Sequence, residues 1–450
     1  MTLTLSNRNP TRDNLLAIME AALEAADPFK AVQRAIRRDG STLLVGDTAY
    51  DLDHFESVWV LGAGKGGAPM AQAIEAVLGD YLAGGMVVVK EGYTAPLERI
   101  ALREASHPVP NAAGLAAGEE MLRLAAQATK RDLVICLLSG GGSALLEALH
   151  PPLTLSDLQA TTVAMLRSGA TINEMNVIRK HLSRVKGGQL AKAIAPATLI
   201  TFALSDVVGS PLDAIASGPT VPDRSTWEEV EKMVVRRNLS DSLPRRVQER
   251  IDAGLSGEIA ETPKASDPVF ESSQVILVGD NAIAAQAACG EAERRGYHGT
   301  ILTTFLEGEA REVAKVAVAL GREVQAFGRP VAAPACLIFG GETTVTLRGN
   351  GKGGRNQELA LAAALSLENT TGITLGTLAT DGSDGPTDGA GAIVDGTTAG
   401  RARAQGMRPN EYLSRNDAYP LLNATGELLR SGPTNTNVND LLFVLVEAAT

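Results

Sequence analysis

The stretch SVWVLGAGKGGAPMAQAIEAVL (Ser57–Leu78) reads as a strand, a tight glycine turn and a helix in one piece. Ser57–Leu61 is a short apolar run, and Ala68–Leu78 carries helical periodicity. The unit recurs downstream: Gly85–Val89 (GMVVV), Asp132–Leu138 (DLVICLL) and Thr198–Leu204 (TLITFAL) are apolar runs separated by helical patterns such as Ala112–Ala128. Strands alternating with helices in this way predict a parallel, doubly wound α/β sheet. Upstream, Asn14–Arg37 predicts a leading helix that turns Leu15, Ile18, Leu23 and Ala31 inward.

At 450 residues the chain exceeds the roughly 250 to 300 residues at which one core stops growing, so two domains are expected. Between Gly254 and Pro268 (GLSGEIAETPKASDP) periodicity is lost and Gly, Ser and Pro collect, which predicts a linker. The expected division is 1–255, a linker at 256–269, and 270–450. The second part repeats the alternation, with strands at Val275–Val278, Thr300–Thr304, Ala335–Phe339, Glu342–Leu347, Ile373–Thr380 and Leu441–Val446.

A formal net charge of −11 argues against nucleic acid as the main partner, because backbone binding needs a basic stripe. A small anion remains admissible, held by local cations and helix N-termini. No apolar run approaches the roughly 18 residues of a membrane span, and the first residues lack the pattern of a secretory signal. Cys136, Cys289 and Cys336 are odd in number and embedded in apolar segments, which fits buried thiols in a reducing cytoplasm.

GAGKGG (Gly62–Gly67) matches the dinucleotide fingerprint at Gly62, Gly64 and Gly67. The acid expected at the end of the next strand is absent, since Val89 is followed by Lys90. A Walker A reading fails too, because Gly66 follows Lys65 where Ser or Thr is required. Lys65, set between glycines, is left as a cation for a phosphate or carboxylate oxygen.

SGGGSALLEAL (Ser139–Leu149) follows the strand DLVICLL and opens another helix, so its amides and hydroxyls can form an anion site. Leu145 stands where a nucleophile elbow needs Gly, which argues against a serine hydrolase. Between Ile172 and Gln189, the polar residues Asn176, Arg179, Ser183 and Lys186 recur on one helical face, and His181 reads as a packing residue. Asp206, at the end of TLITFAL, is placed where open α/β sheets bind ligands, as a candidate base or metal ligand.

In the second half, GKGGRNQE (Gly351–Glu358) concentrates amides, Lys352 and Arg355, and ATDGSDGPTDGAG (Ala379–Gly391) concentrates Asp381, Asp384 and Asp388. Donors for phosphate oxygens beside acids for a hard cation are the needs of magnesium-assisted phosphoryl transfer. Glu342 follows Gly340 and Gly341 at a strand end, which faces an acid toward a cleft.

In order, GAGKGG, SHPVPNAAG (Ser106–Gly114), LLSGGGSALL, NEMNVIRKHLSRVKGGQLA (Asn173–Ala191), LSDVVGSPLDAIASGPT, GGETTVTLRGNGKGGRNQELAL, ATDGSDGPTDGAGAIVDG and SGPTNTNVNDLL together resemble the class II glycerate kinases. Ser106 and Asn111 stand where members of that family more often carry Gly and Asp. The resemblance implies a Rossmann-like N-terminal domain, a C-terminal α/β domain of the MOFRL type, and an active site in the cleft between them. It implies ATP-dependent phosphorylation of D-glycerate, commonly at the 2-hydroxyl, with Lys65, Arg355, Asp206 and Asp381 in the active site.

Both lines combined place Ser139, Gly140, Gly141, Gly142, Ser143, Asn176, Arg179 and Lys186 at the substrate. Gly62, Gly64, Gly66, Gly353 and Gly354 are placed at the nucleotide, and Asp381, Asp384 and Glu342 at Mg2+. The alternatives are an NAD(P)H-dependent hydroxypyruvate reductase and a non-enzymatic sugar-acid sensor. A homo-oligomer is compatible with all three.

Overall fold

The computed structural model describes residues 2–448. Two compact units divide them: an N-terminal unit of Pro28–Ser205 with Ser210–Val278, and a C-terminal unit holding the residues up to Asp27, Asp206–Gly209, and the chain from Gly279 onward.

A small antiparallel sheet, β1 (Ile36–Asp39), β2 (Thr42–Val45) and β3 (Thr48–Asp51), precedes the main sheet of the N-terminal unit. The main sheet holds β4 (Ser57–Ala63), β5 (Leu82–Lys90), β6 (Ile100–Ala105), β7 (Asp132–Leu138), β8 (Thr198–Leu204) and β9 (Ser273–Gly279), in the order β6-β5-β4-β7-β8-β9. Pairing is parallel from β6 through to β8. All seven residues of β7 are buried, which is why a parallel strand covered on both faces reads as an unbroken apolar run. Counted along the chain this is the order 3-2-1-4-5-6, whose direction reverses between β4 and β7. Ligands bind at such a switch point, outside the carboxyl ends of the strands.

In the C-terminal unit, β10 (His298–Leu306), β11 (Ala335–Gly341), β12 (Ile373–Ala379), β13 (Gly391–Asp395), β14 (Leu428–Leu429) and β15 (Asp440–Val446) are ordered β10-β11-β15-β12-β13-β14. Only β10 and β11 pair in parallel, so this sheet is mixed. The register sets Asp440, the first residue of β15, opposite Gly341 on one side and Ala379 on the other. That register decides which acids meet around Arg355.

The division differs from the expected one at both places where it was drawn. The segment expected as a free linker is pinned: Asp223 N donates to Pro263 O (2.9 Å), Thr262 Oγ1 to Asp223 Oδ2 (2.9 Å) and Trp227 N to Glu261 Oε1 (2.9 Å). The strand expected to open the second domain is instead β9, the sixth strand of the first sheet. Loop composition marks where periodicity stops and says nothing of what the backbone bonds to.

The leading helix, Pro10–Ala25, is capped by Asn9, which accepts from Arg12 N, and ends before Pro28. It belongs to the C-terminal unit. A methyl placed on Gly376 of β12 would lie 3.0 Å from Leu15 Cδ2 and 3.2 Å from Met19 Cε, so that glycine makes room for the helix. Arg12, fully buried, binds Glu427 and bridges to Asp395 Oδ2 at 2.6 Å. Periodicity showed the apolar face of this helix without showing which core it enters.

The three cysteines are buried and free, as expected, and burial pushes the Cys136 thiol up to about 12. Among the described residues no helix is long and apolar enough to cross a membrane.

Removing one partner of a buried ion pair strands the other charge at a cost of about 3 to 5 kcal/mol. Arg12→Ala is expected to lower the stability of the C-terminal unit by about that amount, read as an earlier urea midpoint. Burial alone would raise the Asp395 carboxyl, and Arg12 and the Thr397 donors hold it below the ordinary range instead. The stability it contributes is present above about pH 4 and is lost as acid takes the pH below that value, so Arg12→Ala should also flatten the acid limb of the stability profile.

Candidate active site

At the switch point of the N-terminal unit, the turn after β4 (Gly62–Gly67) lies against the loop after β7 (Ser139–Ser143). Their contact accounts for the backbone donors of the first turn. Gly64 N donates to Val88 O (3.0 Å), Lys65 N to Gly140 O (2.9 Å), Gly66 N to Ser139 Oγ (2.9 Å) and Gly67 N to Gly64 O (3.1 Å). A methyl on Gly64 would lie 2.1 Å from Ser139 Oγ, and one on Gly62 2.5 Å from Leu137 O. The glycines expected to touch a nucleotide therefore serve a close approach of two loops. Gly62, Gly64 and Gly66 offer no amide to a phosphate.

The second loop is the donor. Among the described residues Gly140 N and Gly141 N have no protein acceptor, and Gly141 takes the left-handed conformation at φ 83°. Among the described residues Lys65, half-buried beside it, forms no ion pair, and neither does half-buried Arg179. Burial lowers the Arg179 pKa, countered by Glu147. Ser143 Oγ lies 2.6 Å from Ser217 Oγ, which donates to Asn176 Oδ1 at 3.1 Å. Asn176 and Arg179 share a face of the helix Ile172–Leu182, whose start Thr171 and Glu174 fix with a capping box. Contacts thus link Lys65 to the Ser139–Ser143 loop, and that loop through Ser217 to Asn176.

Lys186 departs from expectation. It is 1% exposed and donates to Glu147 Oε2 (2.9 Å) and Leu146 O (2.7 Å), while Ser183 Oγ donates to Glu147 Oε1 at 2.6 Å. A buried ammonium needs a carboxylate, and Glu147 supplies it, so this lysine supports the loop from behind and faces no ligand. His181 packs as expected, its ring 4.5 Å from that of Trp227.

Two residues of this pocket went unrecognised in the sequence. Ser217 is buried at φ 63° beside Ala216 at φ 50°, left-handed conformations that cost energy for residues with a side chain and cluster at functional sites. The run IASGPT signalled a turn without signalling strain. His107, from SHPVP, lies against the same loop: a methyl on Gly141 would sit 3.1 Å from His107 Cδ2 and 3.3 Å from both its Nε2 and Lys65 Cγ. Burial, with Lys65 and Lys90, pushes its pKa down to about 4, so the ring is neutral near pH 7.

In the C-terminal unit Arg355, the first residue of the helix Arg355–Ser366, binds Asp440 through Nε (2.5 Å) and Nη2 (3.2 Å), and Glu342 through Nη1 (2.6 Å). Asn439 Nδ2 completes the group, donating to Glu342 Oε2 (3.0 Å) and to the carbonyl of Asp206 (2.8 Å). Burial alone would depress the Arg355 pKa, and the bonds to Asp440 outweigh it, so the guanidinium stays charged; burial pushes Asp440 up. Neither Asn439 nor Asp440 was singled out beforehand. The signal was an acid at the first position of an otherwise apolar strand.

The amides and acids expected to serve phosphate and metal serve each other. Asp384, 2% exposed, accepts from Asn356 N (3.1 Å) and Gln357 N (2.8 Å), taking the anion position at the helix start. A methyl on Gly354 would lie 2.3 Å from Asp384 Oδ1, so Gly354 admits the capping acid. Gly353 belongs to the same contact, a methyl on Gly385 lying 2.4 Å from its carbonyl oxygen. Lys352 lies over the Tyr419 ring at 4.3 Å, and Asp388 is held by Tyr419 and Arg430. Asp384 and Glu342 are therefore committed to protein donors. Among the described residues no three of His, Cys, Asp or Glu are gathered to hold a metal. Asp381 is different: half-buried, among the described residues it accepts only from Ser383, at 3.1 Å through the amide.

Residues 14–252 match the model of a domain of unknown function, DUF4147, and residues 335–440 that of the MOFRL family. The chain is 40% identical over 432 residues to the glycerate 2-kinase of Pyrococcus horikoshii, covering 96% of each. It is 40% identical over 437 residues to an Agrobacterium vitis protein named as a hydroxypyruvate reductase, covering 97% of this chain and 94% of that one. The crystal structure of the Thermotoga maritima glycerate kinase superposes with a TM-score of 0.87 at 39% identity, covering 97% and 99%. With both family models matched in order and relatives aligned along nearly its whole length, the chain belongs to the class II glycerate kinase family.

Proposed function

We propose that this protein transfers the γ-phosphoryl group of ATP to the 2-hydroxyl of D-glycerate, giving 2-phosphoglycerate and ADP. The observation that carries the reading is the contrast between the two glycine loops. The first spends its amides within the protein, and the second keeps Gly140 N and Gly141 N without a protein acceptor among the described residues, with Lys65 against Gly141. Those donors suit a carboxylate or phosphate at the switch point. The glycerate 2-kinase name of the Pyrococcus relative supports the same substrate.

In this reading Lys65, Arg179 and the two amides neutralise the acid group of glycerate. The hydroxyl oxygen attacks the γ-phosphorus, the bond to the bridging oxygen of ADP breaks, and the hydroxyl proton passes to Asp206 or Asp381. Arg355 offsets the charge on the phosphoryl oxygens, a role worth about 10³ to 10⁵ in rate elsewhere. Its pairs with Glu342 and Asp440 hold the guanidinium oriented before substrate arrives.

Asp381 fits a ligand for Mg2+, since its carboxylate has no arginine or lysine partner, and Mg2+ needs only one or two carboxylates when phosphates complete its shell. Bound there, Mg2+ would neutralise phosphate charge. The hydroxypyruvate reductase name of one relative favours hydride transfer. Against it, the spent amides of Gly64–Gly67 and the lysine at the end of β5 leave a dinucleotide without its usual pyrophosphate and ribose partners.

With glycerate and Mg2+ the protein is expected to release ADP, and with hydroxypyruvate to leave NADH unoxidised; the reverse pattern in coupled assays would sink the reading. Arg355→Ala should lower kcat by about 10³ or more. Because that variant also strands buried Asp440, Arg355→Ala/Asp440→Asn should recover thermal stability while turnover stays lost. Asp381→Asn should raise the Mg2+ concentration giving half-maximal rate by about tenfold or more, the order of effect of losing one metal-site group. Asp384→Asn should lower Tm through the weakened helix cap and leave the Mg2+ requirement unchanged.

A further inference from the structure

The pocket at the switch point is rich in donors and poor in acceptors. Lys65 and the amides of Gly140 and Gly141 all donate, which suits an acid group. Glycerate also carries two hydroxyls, and a hydroxyl placed among cations and amides needs an acceptor for its proton. Ser217 donates to Asn176 Oδ1 and accepts from Ser143, which leaves Ser143 Oγ as a hydroxyl acceptor and no nitrogen acceptor among these groups.

His107 supplies what is missing. Its imidazole edge lies against Gly141 on the side shared with Lys65, where a methyl on Gly141 would be 3.3 Å from His107 Nε2 and 3.3 Å from Lys65 Cγ. Neither ring nitrogen has a protein hydrogen-bond partner among the described residues. Gly141 has no side chain, which lets the ring and the lysine stem both pack closely against the loop. The charged groups facing the ring are Lys65 and Lys90, the latter with its Nζ 4.9 Å from the centre of the Tyr93 ring. Both cations act against a proton on the imidazole, and burial acts the same way, so a nitrogen lone pair is available near pH 7.

We infer that His107 accepts a hydrogen bond from one hydroxyl of the bound acid, and thereby selects a hydroxy acid over a plain carboxylic acid at this pocket. The inference rests on the reading of the pocket as the glycerate site. It makes His107 a specificity-determining residue in contact with substrate, with no covalent role. A site built to satisfy a substrate hydroxyl rejects analogues lacking it, because its own polar group is left unpaired.

The test uses the full chain, ATP and Mg2+, with two competitors that each keep the carboxylate and one hydroxyl: D-lactate carries only the 2-hydroxyl, and 3-hydroxypropionate only the 3-hydroxyl. His107→Ala should lower kcat/KM for glycerate by about tenfold or more, the scale of one lost hydrogen bond. It should weaken inhibition by one competitor to a similar degree and leave the other within about twofold. His107→Gln, whose side-chain oxygen restores an acceptor, should recover much of the loss and guards against misreading an unstable variant. Turnover with kcat/KM and both inhibition constants unchanged in His107→Ala would overturn this inference alone, as would equal weakening of both competitors. If the unaltered protein makes no ADP with glycerate, the functional reading fails and this inference fails with it.

Discussion

Two hydrogen bonds, Lys65 N to Gly140 O and Gly66 N to Ser139 Oγ, tie the turn after β4 to the loop after β7, and the N-terminal site depends on them. They close the first turn as a binder of phosphate and fix the backbone from which Lys65 projects. The same contact demands glycine at 62 and 64, where any side chain would enter Leu137 or Ser139. What resembles a nucleotide fingerprint is, physically, the condition for two adjacent strand ends to approach closely. The donors left over belong to the other loop, beside the lysine that the contact positions.

The C-terminal unit obeys a related economy of charge. Arg355 meets two acids and Asp384 meets two amides, so most of the acids between Ala379 and Gly391 are neutralised inside the fold. Asp381 is the exception that retains chemical freedom. A cluster of acids in sequence is thus divided by structure into a cap (Asp384), a surface pair (Asp388) and a free carboxylate.

Much of the architecture was legible because it depends on local pattern. β7 is apolar at nearly every position since both its faces are covered, and the glycine turns end their strands where the helices begin. Lys65, Arg355 and the Ser139–Ser143 loop stood out as candidates because each sets a cation or backbone amides among glycines at the start of a helix. The rest was illegible for reasons equally physical. Lys186 and Arg179 lie seven residues apart with similar chemistry, and only the hydrogen bond to Glu147 separates the buried lysine from the arginine. Glu342–Leu347 has strand-like composition, yet its acid is drawn to Arg355 and Asn439, and the segment runs on as irregular backbone. Asp440 reaches Arg355 across 85 residues, a distance set by sheet register that no spacing in the chain encodes.

The helix Pro10–Ala25 packs on the helix Asn281–Arg294 and on β12 and is held by Asp395 and Glu427, so its partners follow it by more than 250 residues. During synthesis it leaves the ribosome with Leu15, Ile18, Met19 and Leu23 uncovered, and the whole N-terminal unit is made before the strands that bury them. At about 5 to 20 residues per second the interval is tens of seconds, long compared with the folding of most domains. The chain therefore carries an exposed apolar helix through most of its own translation. The helix is made long before its partners, and its apolar face stays uncovered until they follow.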